Sequence, residues 1–178
     1  MARRGTGGGQ KFYPMILSIG CGAGWWEIKS IFEKPSPKIY LLDPNPDVLN
    51  WPDIQDGIQY FQKIFQKPFP AEIEIFVQEA KNIPLPNQSL QEIWLLNSLH
   101  EINEPEECLK ECHRLLSDGG ILFIEEELSF TEPLLHEGCN KPLYFLNDLE
   151  QLLKAVGFQL IKTEQKDEKA FYLTFQKP

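Results

Sequence analysis

Apolar residues fall along this chain in short runs whose spacing switches between a strand-like and a helix-like period. Met15 to Ile19 is apolar except for Ser18, and the residues beyond it, Trp25, Ile28 and Phe32, recur at helical spacing until Pro35 ends the pattern. A second strand is predicted at 38–42, followed by a short helix near 46–50. Ile58, Phe61, Ile64 and Phe65 then suggest a further helical turn or two, closed by Pro68 and Pro70. Strands are predicted at 72–77 and 92–96, a helix at 104–116 ending on Ser117-Asp118-Gly119-Gly120, and a continuous apolar strand at 121–124. A last helix is predicted at 146–156 with Gly157 at its C′ position, and the runs 158–163 and 171–175 read as a hairpin around Gln165-Lys166-Asp167-Glu168. Helix-linked strands followed by a hairpin predict an α/β fold, a doubly wound sheet that is mostly parallel with an antiparallel C-terminal hairpin strand.

With 178 residues and 42% hydrophobic content, the chain is long enough for one well-buried domain and too short for two of ordinary size. Residues 12–178 are read as a single domain, preceded by a flexible tail at 1–11 in which Arg3 and Arg4 lead into Gly5-Thr6-Gly7-Gly8-Gly9. No apolar run approaches the ~20 residues of a membrane span, and no secretory h-region follows the arginines, so a cytoplasmic protein is expected. A net charge of −9 without a basic, aromatic-laced stripe argues against nucleic acid as a partner. Cys21, Cys108, Cys112 and Cys139 lack the spacing of a disulfide framework. Cys108 and Cys112 join Leu109, Leu115 and Leu116 in the apolar stripe of one helix, so His113 beside them does not make a metal site. His136 and Cys139 are two ligands without partners, and no metal is assigned.

Chemistry enters with the glycines Gly20, Gly22 and Gly24. A strand running into a glycine turn and a helix allows a ligand to approach the backbone closely, and Asp43, closing the second strand, can accept hydrogen bonds from both hydroxyls of a ribose. A dinucleotide fingerprint would need a third glycine at position 25, which is Trp25.

The spacing G-x-G-x-G resembles motif I of the class I S-adenosylmethionine-dependent methyltransferases, and further segments are similar in order. Gln78 to Leu90 resembles the family form D-A-x-x-L-P-F-x-D-x-S-F-D, Ile93 to Ile102 the strand-four ending S-x-x-L-H-H-I, Arg114 to Leu122 the segment R-V-L-K-P-G-G-x-L, and Leu149 to Phe158 the segment L-x-x-L-L-x-x-A-G-F. The resemblance covers roughly residues 15 to 176 and implies a Rossmann-like sheet, S-adenosyl-L-methionine as cofactor and methyl transfer to a small-molecule acceptor through nitrogen, oxygen or sulfur. It implies cofactor contacts from Gly20, Cys21, Gly22, Gly24, Asp43 and Pro44. It further implies that Glu79 accepts from the adenine amino group, that the Ala80 amide meets a ring nitrogen, and that Asn97 lies beside the methionine portion. His100 is a candidate general base. Glu125 is a second candidate, from the run Glu125-Glu126-Glu127, in which Glu125 and Glu127 share one strand face and Glu126 takes the other.

Two departures qualify the resemblance. Position 18 is serine where relatives carry a carboxylate that orients the methionine amino group, so cofactor affinity is reduced or another group substitutes. Motif I also starts about fifteen residues into the chain, so Trp25, Trp26 and the 128–145 segment are the candidates for covering cofactor and acceptor. The segment is expected to be a mobile cover. Both departures leave open an alternative, a non-catalytic methyltransferase-like domain that binds cofactor or serves as a partner subunit.

Overall fold

The computed structural model describes residues 14–178, and the tail expected at 1–11 lies outside the described residues. Seven strands form one sheet: β1 (Ile16–Ile19), β2 (Lys38–Leu42), β3 (Glu72–Phe76), β4 (Leu90–Leu96), β5 (Leu116–Glu127), β6 (Gln159–Gln165) and β7 (Ala170–Gln176). Their order is β3-β2-β1-β4-β5-β7-β6. The first five are mutually parallel, whereas β7 pairs antiparallel with both β5 and β6. This is the mixed, doubly wound sheet expected from helix-linked strands and a terminal hairpin, and the Rossmann-like architecture that the family resemblance implies.

Four helices cover the sheet. On one face α1 (Trp25–Glu33) and α2 (Trp51–Phe65) enclose a core of Ile16, Ile28, Ile31, Phe32, Ile39, Leu41 and Ile54. On the other, α3 (Pro105–Leu115) and α4 (Leu146–Val156) pack Cys108, Leu109, Cys112, Leu149 and Leu153 against Leu17, Ile93, Leu95, Leu122 and Ile124. Cys108 and Cys112 are thus core residues of α3, as its apolar stripe predicts. Gly157 closes α4 at φ 111° with its amide on the Leu153 and Lys154 carbonyls.

Three elements differ from the sequence expectation. The short helix near 46–50 is absent, and α2 is one long helix. The Asn50 side chain accepts from the Asp53 amide at its start, with Pro52 in the first turn. Gly57 does not break it: a Cβ there would lie 3.1 Å from Ile28 Cδ1, so the glycine serves close packing on α1. Finally, the turn residues Ser117–Gly120 lie inside β5 as a bulge, where the register with β4 jumps from Leu90↔Leu116 to Glu92↔Ile121.

The α1–α2 face is not covered evenly. Alongside α1 a groove of about 690 Å³ is walled by Trp26, Lys29, Trp94, Phe123, Glu125, Lys166 and Tyr172. Among the described residues no helix is long and apolar enough to cross a membrane.

Candidate active site

The strand order reverses between β1 and β4, and in open α/β sheets a ligand crevice forms beyond the carboxyl ends of the strands at such a point. A cavity of about 430 Å³ opens there. The glycine turn after β1 forms its floor. The Gly20 and Cys21 amides both donate to the Leu42 carbonyl, at 2.8 and 3.2 Å, which ties the turn to the end of β2. A Cβ on Gly20 would lie 2.6 Å from Ser98 Cβ, so any larger residue collides with the start of the loop after β4. Gly22 is different. It adopts φ 54°, and a Cβ there would meet nothing within 4 Å, because that side of the backbone is open to the cavity.

Asp43 stands at the rim. Its Oδ2 accepts the Gly22 N–H at 2.9 Å and its Oδ1 accepts the Asn45 N–H at 2.9 Å. Two amide donors hold the carboxylate in one orientation and leave further lone pairs on both oxygens for a ligand. Pro44, Glu79 and Ala80 continue the wall, Glu79 exposed and Ala80 buried. Asn97 closes it from β4. It turns the chain at φ 53°, its amide donates to the Glu125 carbonyl at 2.7 Å, and its side-chain Oδ1 is buried without a partner. Asn97 is common to the cavity and the groove beside α1.

Seven of the nine cofactor positions read from sequence therefore line one cavity: Gly20, Gly22, Asp43, Pro44, Glu79, Ala80 and Asn97. Cys21 and Gly24 do not. The Cys21 thiol is pushed up in pKa by burial and by the charges of Glu27 and Asp43. Gly24 packs against Leu41 and begins α1.

The two catalytic candidates also lie elsewhere. Glu125 faces the groove, where Lys166 Nζ donates to its Oε1 at 2.5 Å. His100 sits in a single 3₁₀ turn, Leu99–Glu101, with a fully buried side chain that does not line the cavity. Its Nδ1 is 2.6 Å from Glu126 Oε2, while Glu126 Oε1 accepts the Leu99 amide at 2.6 Å. Burial pulls the imidazole pKa down, but the Glu126 hydrogen bond and the charges of Glu126, Glu101 and Glu127 outweigh it, and the value ends above that of a free histidine. Glu126, the least accessible of the three glutamates, is the one that organises the loop. Strand parity carried the signal, since Leu122, Ile124 and Glu126 share the buried face of β5.

The sequence reading also missed Glu27. This residue is 2% exposed on α1, and the Ser18 hydroxyl donates to its Oε1 at 2.7 Å. A buried carboxylate from the facing helix thus stands against Ser18. Burial raises the Glu27 pKa to about 7, with Asp43 and Glu125 adding to the rise. A carboxylate on the buried stripe with Ile28 and Ile31 was the available clue. Val48, which with Ile102 gives the cavity apolar wall, carried no motif at all.

Comparison with known proteins agrees with this geometry. The family model described as a methyltransferase domain matches residues 17–124, more than half of the chain. The ubiquinone/menaquinone biosynthesis C-methyltransferase UbiE of Campylobacter jejuni is 29% identical over 116 residues, 62% of this chain and 43% of that protein. The malonyl-[acyl-carrier protein] O-methyltransferase of a Paenibacillus species is 25% identical over 178 residues, 92% of this chain and 62% of that protein. This chain thus spans less than two thirds of the length of either relative. Among solved structures, a SAM-dependent methyltransferase from Aquifex aeolicus superposes with a TM-score of 0.71 at 18% identity, covering 93% of this chain and 82% of that one. A glycine turn, a rim carboxylate and an asparagine meeting at the reversal of a β3-β2-β1-β4-β5-β7-β6 sheet, together with the family match over β1 to β5, establish that the chain belongs to the class I S-adenosylmethionine-dependent methyltransferases.

Proposed function

We propose that the protein transfers the methyl group of S-adenosylmethionine to a small-molecule acceptor. The observation that carries this reading is the 430 Å³ cavity, which the open side of Gly22, the fixed carboxylate of Asp43 and Asn97 line together, with the Asn97 Oδ1 buried and unpartnered. Asp43 accepts from the two ribose hydroxyls, Glu79 and the Ala80 amide meet the adenine edge, and Val48 and Ile102 pack on its faces. Asn97 accepts from the methionine ammonium. The Asp43 carboxylate beside the turn favours a cofactor carrying a sulfonium and an ammonium, and Glu27, its pKa raised to about 7, adds negative charge as pH rises through that value.

Methyl transfer from a sulfonium is an in-line displacement with a good leaving group, so the protein has to orient the acceptor and exclude water more than it has to move protons. The acceptor reaches the sulfur past Asn97, on the side of the 128–145 segment, whose His136 Nε2 is 3.5 Å from Asn97 Nδ2. The relatives' names, a quinone C-methyltransferase and an acyl-carrier O-methyltransferase, support an organic acceptor. Calorimetry with S-adenosylmethionine, S-adenosylhomocysteine and NAD, followed by a tritiated methyl-transfer screen over thiols, amines, phenols and carboxylates, tests the reading. Binding of both adenosyl ligands without NAD, and turnover of one acceptor class, is expected. Cofactor binding with no turnover across the panel would favour a non-catalytic subunit, and failure to bind either adenosyl ligand would overturn the proposal.

A further inference from the structure

His136 and Cys139 come together with two residues distant in sequence. Residues 134–143 form a small hairpin, pinned by Leu143 N–H to the Leu134 carbonyl at 2.9 Å and by His136 N–H to the Lys141 carbonyl at 2.8 Å. Its tip folds back through Asn140, whose amide donates to the His136 carbonyl at 2.9 Å. The turn brings His136 Nδ1 to 3.2 Å from Cys139 Sγ. The hairpin lies against the 3₁₀ turn after β4, with the His100 and His136 rings 4.5 Å apart at their centroids. His100 Nε2 is in turn 3.8 Å from Glu101 Oε1. One donor atom from each of His100, Glu101, His136 and Cys139 lies within 4.8 Å of all the others.

An independent observation points the same way. His100 Nε2 is buried and has no hydrogen-bond partner, on a ring whose side chain is fully buried. A ring nitrogen in that position is costly unless something occupies it. Because Nδ1 lies on the Glu126 carboxylate, Nδ1 carries the proton in the neutral ring and Nε2 presents its lone pair to the cluster. A carboxylate behind a histidine whose far nitrogen is free is the arrangement that orients metal-ligating imidazoles.

We propose that His100 Nε2, His136 Nδ1, Cys139 Sγ and Glu101 form a binding site for a divalent cation of the zinc class. The donor set of two imidazoles, one thiolate and one carboxylate suits a borderline metal in tetrahedral coordination and suits magnesium or calcium poorly. Two donor pairs already stand near the separation that a tetrahedral zinc imposes, and the exposed Glu101 is free to swing the remainder. Glu101 also lines the cofactor cavity, so it is the ligand most readily exchanged for an incoming molecule. The site borders the acceptor side of Asn97, yet its existence does not depend on methyl transfer.

Metal binding is read directly, without turnover. The full chain, free of any polyhistidine tag, is stripped with chelator and titrated with cobalt(II), then with zinc(II) as competitor. One equivalent of cobalt is expected, with the visible bands of tetrahedral coordination and a near-ultraviolet thiolate charge-transfer band, both displaced by zinc. Cys139→Ser should lose the charge-transfer band, and Cys108→Ala should keep it. Glu126→Gln, which leaves every ligand in place, should weaken zinc binding by about 10- to 100-fold. His100→Ala should abolish binding; should that core variant fail to fold, His136→Ala on the hairpin carries the same test. Substoichiometric cobalt at micromolar concentration, or a charge-transfer band that survives Cys139→Ser, would overturn the site.

Discussion

The cofactor cavity and the histidine–cysteine cluster meet at Asn97, and they are built by opposite strategies. The cavity is backbone-made: Gly20 and Cys21 hang from the Leu42 carbonyl, Gly22 holds Asp43, and the parts come from consecutive strand ends of a parallel sheet. The cluster is side-chain-made. A hairpin from beyond β5 brings His136 and Cys139, a 3₁₀ turn after β4 brings His100 and Glu101, and a buried carboxylate on β5 braces the whole. A backbone site needs residues that do not obstruct, which leaves a short motif. A side-chain site needs donors that converge, which leaves no fixed spacing.

If that contrast holds, the cavity should fail through obstruction and the cluster should leave the cavity intact. The largest effect is expected at Gly22. Gly22→Val puts a branched side chain into the open volume and forces an unfavourable φ, so S-adenosylhomocysteine binding should fall below detection in calorimetry while the far-ultraviolet circular dichroism stays that of the parent. Normal binding would reduce the turn to a structural feature.

Asp43→Ala comes next. It removes the proposed ribose acceptor and also frees the Gly22 and Asn45 amides. A loss of about 1.5 to 3 kcal/mol is expected, roughly tenfold to a hundredfold in cofactor affinity. An unchanged Kd in a folded variant would remove Asp43 from the site.

Glu27→Gln sharpens the comparison through pH. The Glu27 pKa is raised when folded, from 4.5 to about 7, so the native state binds the proton more tightly than the unfolded chain does. Its contribution to stability is therefore greatest below about pH 4.5 and is lost as pH rises to about 7, by on the order of 3 kcal/mol. The glutamine variant lacks that slope, so the gap between its Tm and the parent's should widen in its favour from pH 5 to pH 8. It should also bind S-adenosylmethionine a few-fold more weakly, with a smaller effect on S-adenosylhomocysteine, which lacks the sulfonium charge. A pH-independent gap would mean that Glu27 is not the titrating group.

The smallest effect on cofactor is expected from the hairpin. Replacing residues 130–142 with a short glycine-serine linker should leave S-adenosylhomocysteine affinity within a few-fold and remove methyl transfer. Transfer at the parental rate would direct the acceptor to the groove beside α1, past Trp26 and Trp94. Within the segment expected to act as a cover, residues 134–143 close on themselves and on Ser129, whose hydroxyl accepts the Leu134 amide at 3.0 Å.

Sequence by itself determined the sheet, its antiparallel hairpin and most of the residues that line the cavity at the β1–β4 reversal, because those depend on local periodicity and on glycines whose need is set by their own backbone. It determined less wherever a residue's meaning depended on what faces it. Gly57 carried no reading from sequence and became a contact surface for α1, since only the neighbouring Ile28 makes a missing Cβ favourable. Glu125 read as the reactive glutamate and proved to be paired with Lys166, while the buried Glu126 took the organising role because His100 and the Leu99 amide lie opposite it. Ser18 read as a missing carboxylate until α1 set Glu27 against it. His136 and Cys139 read as an isolated pair until the hairpin closed on the turn after β4. Periodicity encodes which face a residue occupies, and tertiary packing alone decides which partner waits there.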